Sequence, residues 1–453
     1  KRKRFQIMNY FEILRERIEN KKAVLGVIGL GYVGLPLVKL FLESGFKVYG
    51  FDVDRSKILK LKKGINYIKH IDFSKFKKFF EAGKFFPTDS FKNIKNVDVV
   101  IVCVPTPLNK RKDPDLSFVI KTSKDVSKYL KKGSLFILES TTYPGTTREV
   151  VLPIFKKKGF KVEEDFFLSF SPERENPGDK KFTTKNIPKV VGGIGEKSTE
   201  LAALLYSKVI DKVVKVSSPE VAEATKMLEN TFRAVNIALV NELKIFFDKA
   251  GIDIWEVIEA SKTKPFGFMP FYPGPGWGGH CIPIDPFYLS WRAKRFGVDL
   301  KFIEYAGKVN TYMPRYVVKK LEEELRKRGK SLKGSKILLL GVSYKKDIDD
   351  IRESPALIVF DILGKKGSKV SYFDPYVEKL KSKRYKRSVE RVKDFKKELK
   401  DSDAVILLTD HSNLDYEMIL KEAKLIIDTR NVFDKIKGDK TKVVNCLLYT
   451  SPS

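Results

Sequence analysis

Cysteine is scarce in this chain. There are three in 453 residues, Cys103, Cys281 and Cys446, and no two form a C-x-x-C pair. That excludes a disulfide framework and a thiolate zinc site, and it fits a reducing cytoplasm; no metal is expected. Long apolar runs are also missing. The most apolar stretch, Ala23 to Val38, falls short of the ~20 residues a spanning helix needs, and glycines and Pro36 interrupt it. No signal peptide is visible, and no membrane association is expected. Acidic residues are in deficit, 57 against 88 Lys and Arg, for a net charge of +31. Such a surplus attracts anions, either nucleic acid or a phosphorylated metabolite. The basic runs at Lys1–Arg4 and Lys319–Lys330 are short, so the surplus reads as a solvated lysine-rich surface. No RNA-binding motif with aromatic stacking positions is present, and nucleic acid is not an expected partner.

What is present is a globular composition, 42% hydrophobic and 32% charged, long enough for two or three domains. After a short polar helix to about Asn20, AVLGVIGLGYVG reads as a strand ending in a glycine turn. Strand-like and helix-like segments then alternate, as in a parallel α/β sheet. From Pro219 the pattern changes to apolar residues at helical spacing, ending at Gly251. From about Gly334 a second strand–helix series follows. The expected fold is α/β, with two doubly wound Rossmann-like domains joined by a long central helix and a helical middle domain. The expected boundaries are 1–217, 218–314 and 315–453.

GLGYVG, Gly29 to Gly34, has G-x-G-x-x-G spacing between a strand and a helix. Gly29 permits the tight turn, Gly31 lets backbone approach a pyrophosphate, and Gly34 lets the helix pack on the strand. Asp52 ends the next strand about twenty residues on, where a carboxylate meets ribose hydroxyls. An acid there favours NAD over NADP, an inference that Arg55 and Lys57 weaken slightly. The loop Gly274 to Pro286, GPGWGGHCIPIDP, places Cys281 after Gly276, Gly278 and Gly279, with Asp285 four positions later. A loop thiol beside a nicotinamide cofactor suits carbonyl chemistry through a thiohemiacetal and a thioester. From the loop alone, an incidental cysteine is equally consistent.

The chain resembles the UDP-glucose/GDP-mannose dehydrogenase family of NAD-dependent nucleotide-sugar 6-dehydrogenases. The resemblance runs from about Ala23 to about Phe433, through GLGYVGLPL, VPTPL, ESTTYPG, SPER, EATKMLENTFRAVNIALVNE, GPGWGGHCIPIDP and GVSYKKDIDDIRESPA. Within the family, the stretch around Cys281 is most similar to bacterial and archaeal members acting on UDP-N-acetylglucosamine. The resemblance implies two successive oxidations at C6, alcohol to aldehyde to acid, with two NAD per sugar. It makes Cys281 the nucleophile and gives Asp285 a supporting role toward it and the hydrolytic water. Lys226 and Asn230 stabilise an oxyanion, Thr142 holds a water, and Glu173 shapes the substrate site and acts as a base. It puts Tyr32, Val33, Lys57, Thr106, Thr142 and Arg352 on the cofactor side with the three glycines and Asp52. The substrate side takes Glu173, Arg174, Lys226, Asn230, Gly278, Tyr344, Lys345 and Arg430.

Two departures mark the chain. His280 stands where the glucose-specific relatives have a small residue, and KPFGFMPF lacks their upstream arginine. Both favour an N-acetylated hexosamine, with UDP-N-acetylmannosamine and UDP-glucose as alternatives in the family. An inactive basic nucleotide-binding protein is the alternative of another class. The long helix implies a homodimer. The residues from about Cys446 read as foreign to the gene.

Overall fold

The structure is a computed structural model. It describes residues 9–68, 71, 73–109, 111, 113–174, 183–279, 282–381 and 388–445. Cys281, His280 and the segment from Cys446 lie outside the described residues.

The chain divides into two compact units. The first holds residues 1–229 and 287–298. Its sheet has eight strands: β1 (Val24–Ile28), β2 (Lys47–Phe51), β3 (Phe85–Thr88), β4 (Val99–Val102), β5 (Ser134–Leu138), β6 (Phe166–Phe170), β7 (Lys189–Gly193) and β8 (Val213–Lys215), in the order 3-2-1-4-5-6-7-8. The order reverses at β1, so the crevice above the strand ends opens between β1 and β4, where such folds bind ligands. Strand residues alternate between two cores. Val99 and Ile101 enter the cluster with Val27 and Phe41, while Val100 and Val102 enter the one with Phe136 and Phe155. Both faces are covered, which is why β4 reads as the unbroken run VVIV. One feature departs from the all-parallel expectation: β7 pairs antiparallel with β6. An antiparallel neighbour needs no helical crossover.

The second unit holds residues 230–286 and 299–453. Its sheet contains β9 (Lys336–Leu340), β10 (Lys369–Phe373), β13 (Ala404–Leu407), β14 (Ile426–Asp428) and β15 (Val443–Asn445), in the order 10-9-13-14-15. All four of its strand pairings are parallel. A separate antiparallel ribbon pairs β11 (Lys379–Lys381) with β12 (Ser388–Glu390). Again alternate residues divide, Ile337 and Leu339 to one face and Leu338 and Leu340 to the other. Both sheets therefore have the doubly wound, Rossmann-like form.

The central helix runs from Pro219 to Ala250 and contributes residues to both units. Proline at its first position has no N–H to waste there. No helix among the described residues is long and apolar enough to cross a membrane.

Candidate active site

In the first unit the glycine turn follows β1. Gly29 has φ 98° and donates its N–H to the Phe51 carbonyl at 2.8 Å. A Cβ there would run into the Cys103 carbonyl, and one on Gly34 into the Gly29 carbonyl. Both glycines are set by protein backbone. Gly31 differs: a Cβ there would meet nothing within 4 Å. The turn thus leaves an open cradle at the N-terminus of helix Gly34–Glu43, where amide donors and the helix dipole favour a phosphate.

Asp52, 7% exposed, closes the turn from the end of β2. Its Oδ2 accepts from the Leu30 N–H at 3.0 Å and its Oδ1 from the Asp54 N–H at 2.9 Å. Lys57 Nζ sits 3.0 Å from Oδ2, so this lysine is held by the carboxylate instead of standing apart from it. Tyr32 packs half-buried on the core, and Val33 lines a cavity with Glu139, Glu173, Arg174 and Lys189. Thr106 is buried, and its carbonyl accepts from the Tyr288 hydroxyl at 3.1 Å. Cys103, just after β4, is half-buried and packs against the core.

Thr142 lies in the loop after β5. It is fully buried, and its Oγ1 finds no hydrogen-bond partner among the described residues. A buried hydroxyl left so is costly, which suits one that waits for a water or a ligand. The loop beyond it is fixed by Glu223 of the central helix. That carboxylate accepts from the Gly145 N–H at 2.6 Å, the Thr147 N–H at 2.8 Å and the Thr147 hydroxyl at 2.7 Å. Burial pushes Glu223 up to about 7, against the pull of those donors.

Lys226 follows Glu223 on the same helix and is 6% exposed. Its Nζ donates to the Glu173 backbone carbonyl and lies 3.3 Å from the Glu173 carboxylate. A buried ammonium must be paired, and Glu173 supplies both acceptors. Arg174 turns to Glu229 at the next turn of the helix, and donates to the Pro188 carbonyl at 2.8 Å. These sequence-predicted residues meet through the central helix.

In the second unit, Asn230 donates to the buried Asp285 carboxylate, orienting both. The glycine loop is anchored by amides. Gly274 N–H donates to Asn241 Oδ1 at 2.9 Å, Asn241 donates to Asn310 at 2.9 Å, and Asn310 donates to the Ala234 carbonyl at 3.0 Å. The glycines after it are set by close protein neighbours. A Cβ on Gly278 would approach Tyr344 Cβ to 2.8 Å and Pro355 Cδ to 3.0 Å, and one on Gly279 would meet the Tyr344 ring. Tyr344 thus fills that space, and Gly279 N–H donates to the Arg352 carbonyl at 3.1 Å.

Arg352, expected toward the cofactor, forms a forked pair with Asp350, at 3.0 and 2.6 Å. The Lys345 carbonyl accepts from Ser343 Oγ at 2.8 Å. Arg430, half-buried, donates through Nε to the Leu408 carbonyl at 2.8 Å, with its guanidinium facing Gly274. Glu223, Asn241 and Asn310 are missing from the sequence reading. Glu223 had a signal, lying one helical turn before Lys226. The two asparagines had none short of their partners.

Comparison with known proteins agrees with this layout. The NAD binding domain of the UDP-glucose/GDP-mannose dehydrogenase family matches residues 23–210, its central domain 220–312 and its UDP binding domain 338–435. UDP-N-acetyl-D-glucosamine 6-dehydrogenase of Pseudomonas aeruginosa is 40% identical over 361 residues, 79% of this chain and 84% of that one. UDP-N-acetyl-D-mannosamine dehydrogenase of Pyrococcus horikoshii is 34% identical, over 90% of this chain and 95% of that one. The solved structure of the UDP-D-ManNAc dehydrogenase from Pyrococcus horikoshii superposes with a TM-score of 0.83 at 33% identity, covering 93% of this chain and 98% of that one. The open cradle at Gly31 and the carboxylate at Asp52 fit the NAD that the first of these domains binds. With all three domains matched in chain order, and a relative 40% identical across most of both chains, the chain belongs to the UDP-glucose/GDP-mannose dehydrogenase family of NAD-dependent oxidoreductases.

Proposed function

We propose that the chain oxidises the C6 hydroxyl of a UDP-N-acetylhexosamine, UDP-N-acetylglucosamine foremost, to the uronic acid. The observation that carries this reading is the buried Lys226–Glu173 pair. A cation kept from water in an NAD-binding unit is worth most to an oxyanion. NAD, when bound, accepts the hydride at each of the two oxidations. Cys281 adds its thiolate to the C6 aldehyde as a thiohemiacetal; the second oxidation leaves a thioester, which water hydrolyses to the acid and the free thiol. Lys226 and Asn230 stabilise the C6 oxyanion, Asp285 serves the thiol and the water through the geometry Asn230 gives it, and Thr142 holds a water. Gly29, Gly31, Tyr32, Val33, Gly34, Asp52, Lys57, Thr106 and Arg352 serve NAD. Glu173, Arg174, Gly278, Tyr344, Lys345 and Arg430 serve the sugar nucleotide, Lys345 as a point charge for the diphosphate.

The glucosamine preference is supported by the Pseudomonas aeruginosa relative. The Pyrococcus horikoshii structure supports UDP-N-acetylmannosamine as a second reading. The chain is offered UDP-N-acetylglucosamine, UDP-N-acetylmannosamine and UDP-glucose with NAD, and NADH absorbance is followed. Two NADH per UDP-N-acetylglucosamine are expected; if no sugar yields two, the reading fails. Cys281→Ser should nearly abolish acid formation, and full turnover would remove Cys281 from its role.

A second copy of the chain is the proposed partner, in the cytoplasm. Leu239 and Phe246 on the central helix flank Glu242, which accepts from Tyr305 of helix Lys301–Lys327. Phe302 lies one turn before Tyr305, and all four apolar residues are exposed. An apolar patch of this kind suits a twofold self-contact. Light scattering should give twice the mass of one chain, and a monomer would overturn it.

A further inference from the structure

A buried imidazole in the second unit has no part in the chemistry above. His411 follows β13 and is fully buried. Its Nδ1 accepts from the Asp347 N–H at 3.0 Å. A nitrogen that accepts from an amide carries no proton, so the ring proton sits on Nε2. That nitrogen faces Asp374 Oδ2 at 3.0 Å and Ser343 Oγ at 3.2 Å. Asp374, fully buried at the end of β10, also accepts from the backbone N–H groups of Val342, Ser343, Tyr376 and Val377 at 2.7 to 3.2 Å. The ring therefore ties two ends of one loop. Nε2 holds the start, through Asp374 and Ser343, and Nδ1 holds the far end at Asp347.

The loop needs such a tie. Asp347 sits at φ 60°, a left-handed conformation that costs a residue with a side chain. Its carboxylate is engaged by Ser412, from the N–H at 2.7 Å and the hydroxyl at 2.6 Å. Thr409 Oγ1 donates to the Ser343 carbonyl at 2.7 Å. Between the two tied ends lie Tyr344 and Lys345. The other polar groups near the ring are already engaged. Tyr376 lies 5.0 Å away ring to ring, Tyr416 donates to the His411 carbonyl at 2.8 Å, Lys346 pairs with Asp410 at 3.7 Å, and Arg391 donates to the Asp374 carbonyl at 3.2 Å.

The geometry points to His411 as a positioning residue for the sugar nucleotide, acting through its Nδ1 to hold the Ser343–Asp347 loop. This rests on the reading above that gives Tyr344 and Lys345 to the substrate. His411 does not touch the reacting atoms. Its removal should act on the affinity for UDP and the UDP-sugar and leave NAD binding alone.

The two nitrogens can be removed one at a time in the full chain. In His411→Asn the amide oxygen takes the place of Nδ1 and still accepts from Asp347, while the contact with Asp374 is lost. In His411→Gln the amide reaches the place of Nε2, and Asp347 loses its acceptor. Calorimetry with UDP and steady-state kinetics with the UDP-sugar and NAD are the readouts. His411→Gln should weaken UDP binding and raise the UDP-sugar KM about tenfold, the worth of about one hydrogen bond, with kcat and NAD KM within about twofold. His411→Asn should stay within about threefold of wild type. Equal losses in the two variants, a loss shared by NAD, or an unchanged His411→Gln would overturn the inference while leaving the nucleotide-sugar reading in place. Wild-type chain that binds no UDP would overturn that reading and this inference together. Should His411→Gln not fold, hydrogen exchange on wild type decides, because a rapidly exchanging Asp347 amide would overturn the tie and a protected one upholds it.

Discussion

The two sheets begin alike. In the first, Gly29 after β1 donates to the Phe51 carbonyl at 2.8 Å, and Asp52 after β2 accepts from Leu30. In the second, Gly341 after β9 donates to the Phe373 carbonyl at 3.0 Å, and Asp374 after β10 accepts from Val342. Both glycines have positive φ, and a Cβ on either would run into a carbonyl beyond the neighbouring strand, Cys103 in one and Thr409 in the other. The difference is what covers the aspartate. Asp52, though only 7% exposed, is closed by two amides and by Lys57, whose side chain is part-exposed, and on the proposed reading it meets a ribose hydroxyl. Asp374 is sealed by His411 and four amides. On the proposed reading, the same frame presents a carboxylate to a ligand in one unit and turns it to a loop in the other, where Tyr344 and Lys345 of that loop serve the ligand instead.

That contrast can be broken by substitution. The largest effect is expected at Asp374→Ala, which strips the acceptor from five buried donors and should cost about 3–5 kcal/mol in denaturant unfolding. Glu223→Ala tests the rule within the first unit. It is a sealed carboxylate serving a loop, so it should behave like Asp374 and not like Asp52, losing about 2–3 kcal/mol and lowering kcat through Thr142. Asp52→Ala should cost about 1 kcal/mol of stability and raise the NAD KM about tenfold, with UDP binding unchanged. A stability loss at Asp52 as large as at Asp374 would erase the distinction.

The smallest effect is the sharpest in sign. For Asp374, burial alone would raise the carboxyl, but the hydrogen bonds it accepts from His411 and the amides outweigh it and hold it below the ordinary range. Its stabilisation is present above about pH 4 and is lost as pH falls through the folded value. Glu223 runs the other way. Held at about 7 by burial, it contributes stability below the ordinary glutamate range that is lost as pH rises through about 7. Melting temperature against pH should show Asp374→Asn closing on wild type only in acid, and Glu223→Gln flattening the decline between about pH 5 and 8.

Much of this was legible in the sequence. GLGYVG and Asp52 could be read because their meaning lies in local spacing, glycines at a turn and an acid at a strand end. The long helix was legible because its apolar period persists over many turns. What escaped depends on partners far along the chain. Tyr344, which a side chain on Gly278 or Gly279 would meet, is found beside them only in the fold. His411 lies in none of the motifs that carry the resemblance, and its worth comes from Asp347 and Asp374. Asp374 itself was within reach, since YFDP ends its strand as GFD ends β2.

The return of residues 287–298 to the first unit has a consequence for synthesis. The last strand of the first sheet, β8, leaves the ribosome well before Tyr288, whose hydroxyl meets the Thr106 carbonyl. Glu223, which fixes the Thr142 loop, also comes after β8. A nascent chain paused there would hold a finished sheet with its ligand loops untethered, and domains generally fold as they emerge. The cofactor half of this enzyme therefore waits on the central segment for completion, and a chain truncated at the end of its first sheet would carry the nucleotide fingerprint without the anchors that order the loops around it.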